Sequence, residues 1–120
     1  MKMGVMGIGF HPCGEQNLNY AFYPEMPLPS LSQISVSHEV DLERASAAFP
    51  DHVISGNIEP ALLQLGSADR IYEACRVAIK KGKKHQRGFV LMSGCEMAPQ
   101  TPPYNLWVMA KAVNDFGYFD

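Results

Sequence analysis

Short apolar runs alternate with amphipathic stretches along this chain, and the alternation sets the elements it predicts. Val5 to Phe10 is apolar, broken only by glycine, the pattern of a buried strand over about residues 3–10 with Met1 and Lys2 as its leader. Gln33-Ile34-Ser35-Val36-Ser37 alternates polar with apolar and reads as a second strand. Asp41 then opens a helix whose apolar face carries Leu42, Ala45, Ala48 and Phe49, and Pro50 stops it. Val53-Ile54-Ser55 is a third strand that leaves into Gly56-Asn57-Ile58-Glu59-Pro60, followed by a brief helical turn over 61–65. Ser67 suits the N-cap of a helix over about 68–82, with Ile71, Ala74, Cys75 and Ala78 as its stripe and Arg70, Glu73, Arg76 and Lys80 facing water. Gly82 suits its C-cap, and the lysines at 80, 81, 83 and 84 suit the helix dipole, as a solvated end or as a phosphate patch. Phe89 to Met92 is the fourth strand. Pro103 begins a last helix over about 103–115, with Leu106, Met109, Ala110 and Val113 on its buried side. Gly117 ends it, and Tyr118 and Phe119 are expected to fold back onto the body of the domain.

One stretch has no period. Glu15 to Ser32 holds Pro24, Pro27 and Pro29, which rule out a long helix, and Tyr20, Phe22 and Tyr23 read as packing groups. It is either a functional lid or a loop that covers a sheet edge. The overall order is strand, loop, strand, helix, strand, helix, strand, helix, which means an α/β fold with a parallel sheet. Neither a G-x-G-x-x-G turn nor a P-loop is present, so nothing supports a nucleotide-binding doubly wound sheet. The polar residues His11, Cys13, Ser37, His38, Asn57, Glu59, Cys95 and Glu96 all fall just past strand C-termini, the active-site face of a (β/α) barrel. Four β/α units are half of a (β/α)8 TIM barrel, whose full form takes about 250 residues. The two open edges of such a half invite pairing, by homo-oligomerisation or with a partner chain.

Length and composition narrow the classes. The 120 residues fit a single domain, 1–120, and a chain that is 47% hydrophobic and 18% charged builds a core. A net charge of −2 gives no reason to expect nucleic acid or an anionic membrane. No run reaches the length of a membrane span, and no signal peptide is read. Three cysteines, an odd number without a dense framework, favour a reduced, cytoplasmic setting.

The chemistry gathers at two strand exits. His11-Pro12-Cys13-Gly14 follows the first strand and Ser93-Gly94-Cys95-Glu96 follows the fourth. If those exits are close in space, one nitrogen and two sulfurs meet as a three-ligand zinc site with one position open, the catalytic form. The competing reading of Cys13 and Cys95 is two buried small hydrophobes. Cys75 lies on a helix stripe and reads as core, while His52 and His85 read as surface residues.

Four stretches together carry a resemblance to a known family: Phe10 to Gly14, Ile34 to Leu42, Ser55 to Pro60, and Ser93 to Asn105. The chain resembles the C-terminal half of the uroporphyrinogen decarboxylase superfamily. Within it, the chain is similar to the zinc-dependent methyltransferases that move a methyl group from a methylated corrinoid protein to a thiol such as coenzyme M. That resemblance implies zinc on His11, Cys13 and Cys95, a corrinoid protein as partner and a thiol as substrate. Decarboxylases of the superfamily need no metal, lack H-x-C and typically carry histidine where Cys95 stands. Glu96 and His38 are the candidate catalytic residues: Glu96 supports the zinc site or is solvated, and His38 belongs to the site or packs the loop, with His38 or Glu39 available to close the metal's fourth position. Asn57 and Glu59 are candidate cofactor-binding residues or, alternatively, fasteners of the loop after the third strand. Two other functions stay open. One is a uroporphyrinogen decarboxylase-type enzyme, which the scarcity of arginines (Arg44, Arg70, Arg76 and Arg87) disfavours. The other is a noncatalytic relative that serves as a binding or assembly module.

Overall fold

The computed structural model describes residues 4–119. Four parallel strands form one sheet in sequence order: β1 (Gly9–Phe10), β2 (Gln33–Ser35), β3 (Val53–Ile58) and β4 (Phe89–Ser93). Four helices connect and cover them: α1 (Leu42–Ala48), α2 (Pro60–Leu65), α3 (Ala68–Gly82) and α4 (Pro103–Phe116). The register sets Phe10 beside Ile34, Ile34 beside Ile54 and Ile54 beside Phe89, one apolar row across the sheet. Ile34, Val36, Ile54 and Ile58 are buried against Leu63, Ile71, Cys75 and Ile79 of the helices. The alternate positions are polar or open. Gln33 reaches across to the Ser55 hydroxyl at 2.9 Å, and Val90 and Met92 of β4 are exposed. A sheet buried by helices on one face and bare on the other is the layering of an incomplete barrel.

The helix caps follow from the sequence. The Asp41 carboxylate accepts from the Glu43 amide at 2.8 Å, and Ser67 accepts from the Arg70 amide at 3.3 Å. Gly82 is a close-approach residue as well as a helix end. A Cβ there would lie 2.2 Å from the Phe89 ring, so glycine lets α3 settle on β4.

Several expectations change. The first strand was expected over about 3–10 and buried. Regular pairing covers only Gly9–Phe10, Val5 and Met6 are exposed, and Met1 to Met3 lie outside the described residues. This strand is a sheet edge, and among the described residues no strand pairs with its outer side to bury the apolar run. The third strand is longer than its apolar core suggests: it lies centrally, pairs with β2 through Ser55, and continues beside β4 through Gly56, Asn57 and Ile58. Gly56 is required there. Its φ is +140°, and a Cβ would meet the Val36 carbonyl oxygen at 2.6 Å.

Helix α4 turns a different face inward. Asn105, Val108 and Ala112 are buried, whereas Leu106 and Val113 are 38% and 44% exposed and Ala110 faces solvent. Only Met109 of the expected four packs against the core. The helix is apolar on nearly every side, so its period does not choose a face. Packing on α3 chooses it, helped by the Asn105 amide, which donates to the Leu63 carbonyl at 2.7 Å. Tyr118 and Phe119 remain exposed. The Lys83 ammonium holds the Tyr118 carbonyl and sits 6.0 Å over the Phe119 ring.

His85 is buried rather than on the surface. Its Nε2 donates to the His52 carbonyl and its Nδ1 accepts from the Ser46 hydroxyl, both at 2.6 Å. His52 is half-buried, with its Nδ1 enclosed. A polar run between α3 and β4 looks solvated in sequence, but here the chain passes under α1.

The long first loop packs down through Tyr20 and Tyr23, whereas Phe22, expected to pack with them, is 66% exposed. The loop carries two short 3-10 turns, Asn19–Ala21 and Tyr23–Glu25, and takes the place a crossover helix would hold. Tyr23 stacks on Phe49 at 5.8 Å and meets Phe10 edge-on at 5.4 Å, and Tyr20 meets Tyr23 at 5.0 Å. Burial pushes the Tyr20 hydroxyl up to about 12. The loop therefore covers the β1 side of the core, the second of the two readings open for it.

Candidate metal centre

β1 and β4 are opposite edges of the sheet. Three strand spacings of about 4.8 Å would hold them roughly 14 Å apart in a flat sheet. Yet the ligand atoms of His11, Cys13 and Cys95 all lie within 4.8 Å of one another, and the two Sγ atoms are 3.2 Å apart. The sheet curls, and the exit loops of its two edge strands fold toward each other over the strand C-termini.

Each candidate ligand is placed by identifiable contacts. The His11 Nδ1 lies 3.1 Å from both the carbonyl and the hydroxyl of Ser35 on β2. A carbonyl only accepts, so Nδ1 carries the proton and the Nε2 lone pair is left for a metal. Pro12 is buried between the ligands, and Gly14, with φ +80°, turns the chain so that Cys13 stays at the mouth. On the other side, the Gly94 amide donates to the Ile58 carbonyl at 2.7 Å and extends the β3–β4 ladder by one residue. The Ser93 hydroxyl then donates to the Cys95 carbonyl at 2.6 Å and fixes the turn. Gly94 also passes close to the β2 exit: a Cβ on it would lie 2.6 Å from the His38 nitrogen.

The two thiols are electrostatically unequal. His11 chiefly, and then Cys13, hold the Cys95 thiol below its ordinary value. Hydrogen bonding with Cys95 and the charge there push Cys13 up. Two thiolates at 3.2 Å repel unless a cation lies between them, so the pair suits a metal better than it suits two free anions. The donor set fits zinc: one imidazole, two thiolates and an exposed side for a fourth ligand. A cavity of about 480 Å³ opens beside it on the bare face of the sheet, lined by Phe10, His11, Ser35, Met92, Cys95 and Glu96 among others.

The expected site residues divide into two groups. Glu96 is exposed in the cavity with His11 and Cys95. His38, Glu39, Asn57 and Glu59 instead line a groove of about 890 Å³ that runs between the β2–α1 loop, α2 and α3. The Asn57 amide donates to the Ser37 and Val40 carbonyls at 3.3 and 2.7 Å, which ties the β2 exit loop to β3. The Glu59 side chain makes no cap bond at the start of α2. Glu39 hangs beside the Cys13–Gly14 turn, 3.4 Å from the Ser37 hydroxyl, with its backbone carbonyl held by Asn17 at 3.1 Å. Cys75 is wholly buried, and burial pushes its thiol up to about 11. The residue that pattern reading missed is Ser35. Its signal was present, since it alternates with the buried Ile34 and Val36 and so points to the bare face.

The uroporphyrinogen decarboxylase (URO-D) family model matches residues 2–116, and the chain belongs to that family. Among curated proteins it is similar to the methylcobamide:CoM methyltransferase MtbA of Methanosarcina acetivorans, with 27% identity over 119 residues, 98% of this chain and 33% of that protein. The protein of the same description from Methanosarcina mazei is 27% identical over 109 residues, 90% of this chain and 30% of its own length. A solved methyltransferase structure from Methanosarcina mazei superposes with a TM-score of 0.75 at 22% identity, covering 92% of this chain and 31% of that one. The chain thus spans about a third of the length of the curated relatives it matches. Its four parallel β/α units form a partial barrel. Among the described residues, no helix is long and apolar enough to cross a membrane.

Proposed function

We propose that the chain is the metal-bearing part of a zinc-dependent methyltransferase that moves a methyl group from a methylated corrinoid protein to a thiol such as coenzyme M. The observation that carries this reading is the convergence of His11, Cys13 and Cys95 from opposite edges of the sheet. Zinc held by these three residues would keep a substrate thiol in its thiolate form at neutral pH. In this reading Ser35 orients the imidazole, Glu96, which lines the same cavity, is assigned to accepting the proton that leaves the thiol, and the bare sheet face offers the cavity for the acceptor. His38, Asn57 and Glu59 belong to the groove behind the mouth, where we assign them to shaping the β2 and β3 exits for the corrinoid side. The setting we assign is the cytoplasm, where thiols stay reduced.

The activity calls for a closed barrel. The chain exposes 7372 Å², whereas a folded monomer of 13.3 kDa exposes about 6,500 Å². The excess, on the order of 900 Å², is close to one partner's share of a standard interface. We propose that it is covered by further β/α units, from a second copy, a partner chain or a longer form of the same protein. The test supplies the zinc-loaded chain with a methylated corrinoid protein and a thiol, with and without such a completing half. Thiol methylation that disappears in Cys13→Ser and Cys95→Ser supports the reading. A chain that binds zinc and completes a barrel but never methylates a thiol would be a noncatalytic assembly module instead.

A further inference from the structure

The Cys13–Cys95 pair has a second capability besides holding a metal. The sulfurs are 3.2 Å apart, already inside the sum of their van der Waals radii of about 3.6 Å, and about 2.05 Å makes a bond. Cys13 is exposed and Cys95 is half-buried, so an oxidant can reach the pair, and whichever sulfur it takes has a resolving thiol 3.2 Å away. Both side chains stand on exit loops with a glycine beside the cysteine, Gly14 and Gly94, rather than inside regular structure. The third cysteine, Cys75, is wholly buried in α3 and cannot compete.

From this geometry we propose that the metal-free pair is a reversible modification site, which a peroxide closes into an intramolecular disulfide. The proposal builds on the metal centre above but needs no zinc in order to be tested. The steps balance. One sulfur of the pair takes one oxygen from the peroxide as a sulfenic acid, and the O–O bond breaks with release of one water. The other sulfur then attacks it, the S–S bond forms, and the sulfenic oxygen leaves with the second thiol hydrogen as another water. The two sulfurs together give up two electrons, and hydrogen peroxide accepts them. The link joins opposite edges of the sheet across β2 and β3, so it fixes the same curl that a bound metal would fix. It also removes two of the three ligands, so oxidation and metal exclude each other.

The test treats the purified chain, stripped of metal or loaded with zinc, with dilute hydrogen peroxide and follows intact mass, free thiols after unfolding, and peptide maps. The metal-free chain is expected to lose about 2 Da, to fall from three titratable thiols to one, and to yield a peptide linking Cys13 to Cys95. A phosphine reductant restores all three. Cys75→Ser behaves alike, with the thiol count falling to zero, and Cys13→Ser shows no 2-Da loss. Zinc slows the reaction at least tenfold (on the order of the protection expected when sulfur lone pairs are engaged). A disulfide in a chain that takes up no zinc would keep this proposal and remove the metal reading. Stable gains of about 32 Da at Cys13 or Cys95, chain-to-chain cross-links, or a link through Cys75 overturn it.

Discussion

Replacing Gly94 with alanine would set a methyl group 2.6 Å from the backbone nitrogen of His38, with the His38 Cα and Cβ each at 3.3 Å. Ordinary contact begins near 3.4 Å, so about 0.8 Å has to be found. None of it can come from a flexible side-chain tip, because the nearest atoms are His38 backbone and Cβ. The β2 exit loop is held from behind by Asn57 at 3.3 and 2.7 Å. The movement therefore falls on the β4 exit, where it stretches the 2.7 Å bond from Gly94 to Ile58 and carries Cys95 with it. A displacement of that size is large beside the tolerance of a tetrahedral site, about 0.2 Å in each ligand distance. Gly94→Ala is expected to cost about 1–3 kcal/mol of folding stability in the metal-free chain, the usual cost of overpacking. It should also weaken zinc binding by roughly 10- to 100-fold, as for lost ligand support. Urea unfolding of the stripped protein measures the first, and competition against a chromophoric chelator measures the second. A variant with native stability and native zinc affinity would refute the claim that the two exit loops are packed against each other to build the site.

Other perturbations separate the parts of the account. Ser35→Ala removes one of the two partners of the His11 Nδ1 while the carbonyl stays, so zinc affinity should fall by about tenfold with little change in unfolding midpoint. Asn105→Ala strips the buried Leu63 carbonyl of its donor and should cost about 1–3 kcal/mol in denaturant unfolding, without touching metal binding. Asp41 is held below its ordinary carboxyl value chiefly by the Lys81 ammonium. A depressed carboxyl contributes stability above its unfolded value of 3.8 and loses it as pH falls through its lower folded value. The stability gap between wild type and Asp41→Asn should thus be present at neutral pH and close below 3.8 in acid titrations of the unfolding midpoint.

The parallel order, the four helices and the nearness of the candidate metal ligands were legible because each rests on a local rule. Asp41 and Ser67 are caps, Ile34 and Val36 alternate, Pro50 and Pro103 punctuate, and His11 with Cys13 is a compact pair of potential ligands. What was illegible depends on neighbours. Val5 and Met6 are apolar enough for a buried strand, but burial needs a partner beyond β1. The face of α4 could not be read from a helix apolar on nearly every side; the bond from Asn105 to Leu63 and the packing on α3 settle it. Gly56-Asn57-Ile58 looks like an exit loop until β4 pairs with it and carries the strand on. His85 was hidden by polar neighbours, and only its bonds to Ser46 and His52 reveal a core residue. Among the candidate site residues, the structure brings His11, Cys13 and Cys95 together, with Glu96 lining the same cavity. Position after a strand could not show that His38, Asn57 and Glu59 line the groove outside the mouth, because strand exits share an end of the sheet without sharing a cavity.

The most direct test is the metal content of the chain purified under reducing conditions without added metal, by elemental analysis against protein concentration. The account predicts about one zinc per chain, lost in Cys13→Ser and in Cys95→Ser and retained in Cys75→Ser. A chain free of zinc, and still free of it after reconstitution with excess metal and reductant, would contradict the central claim that His11, Cys13 and Cys95 form a zinc centre.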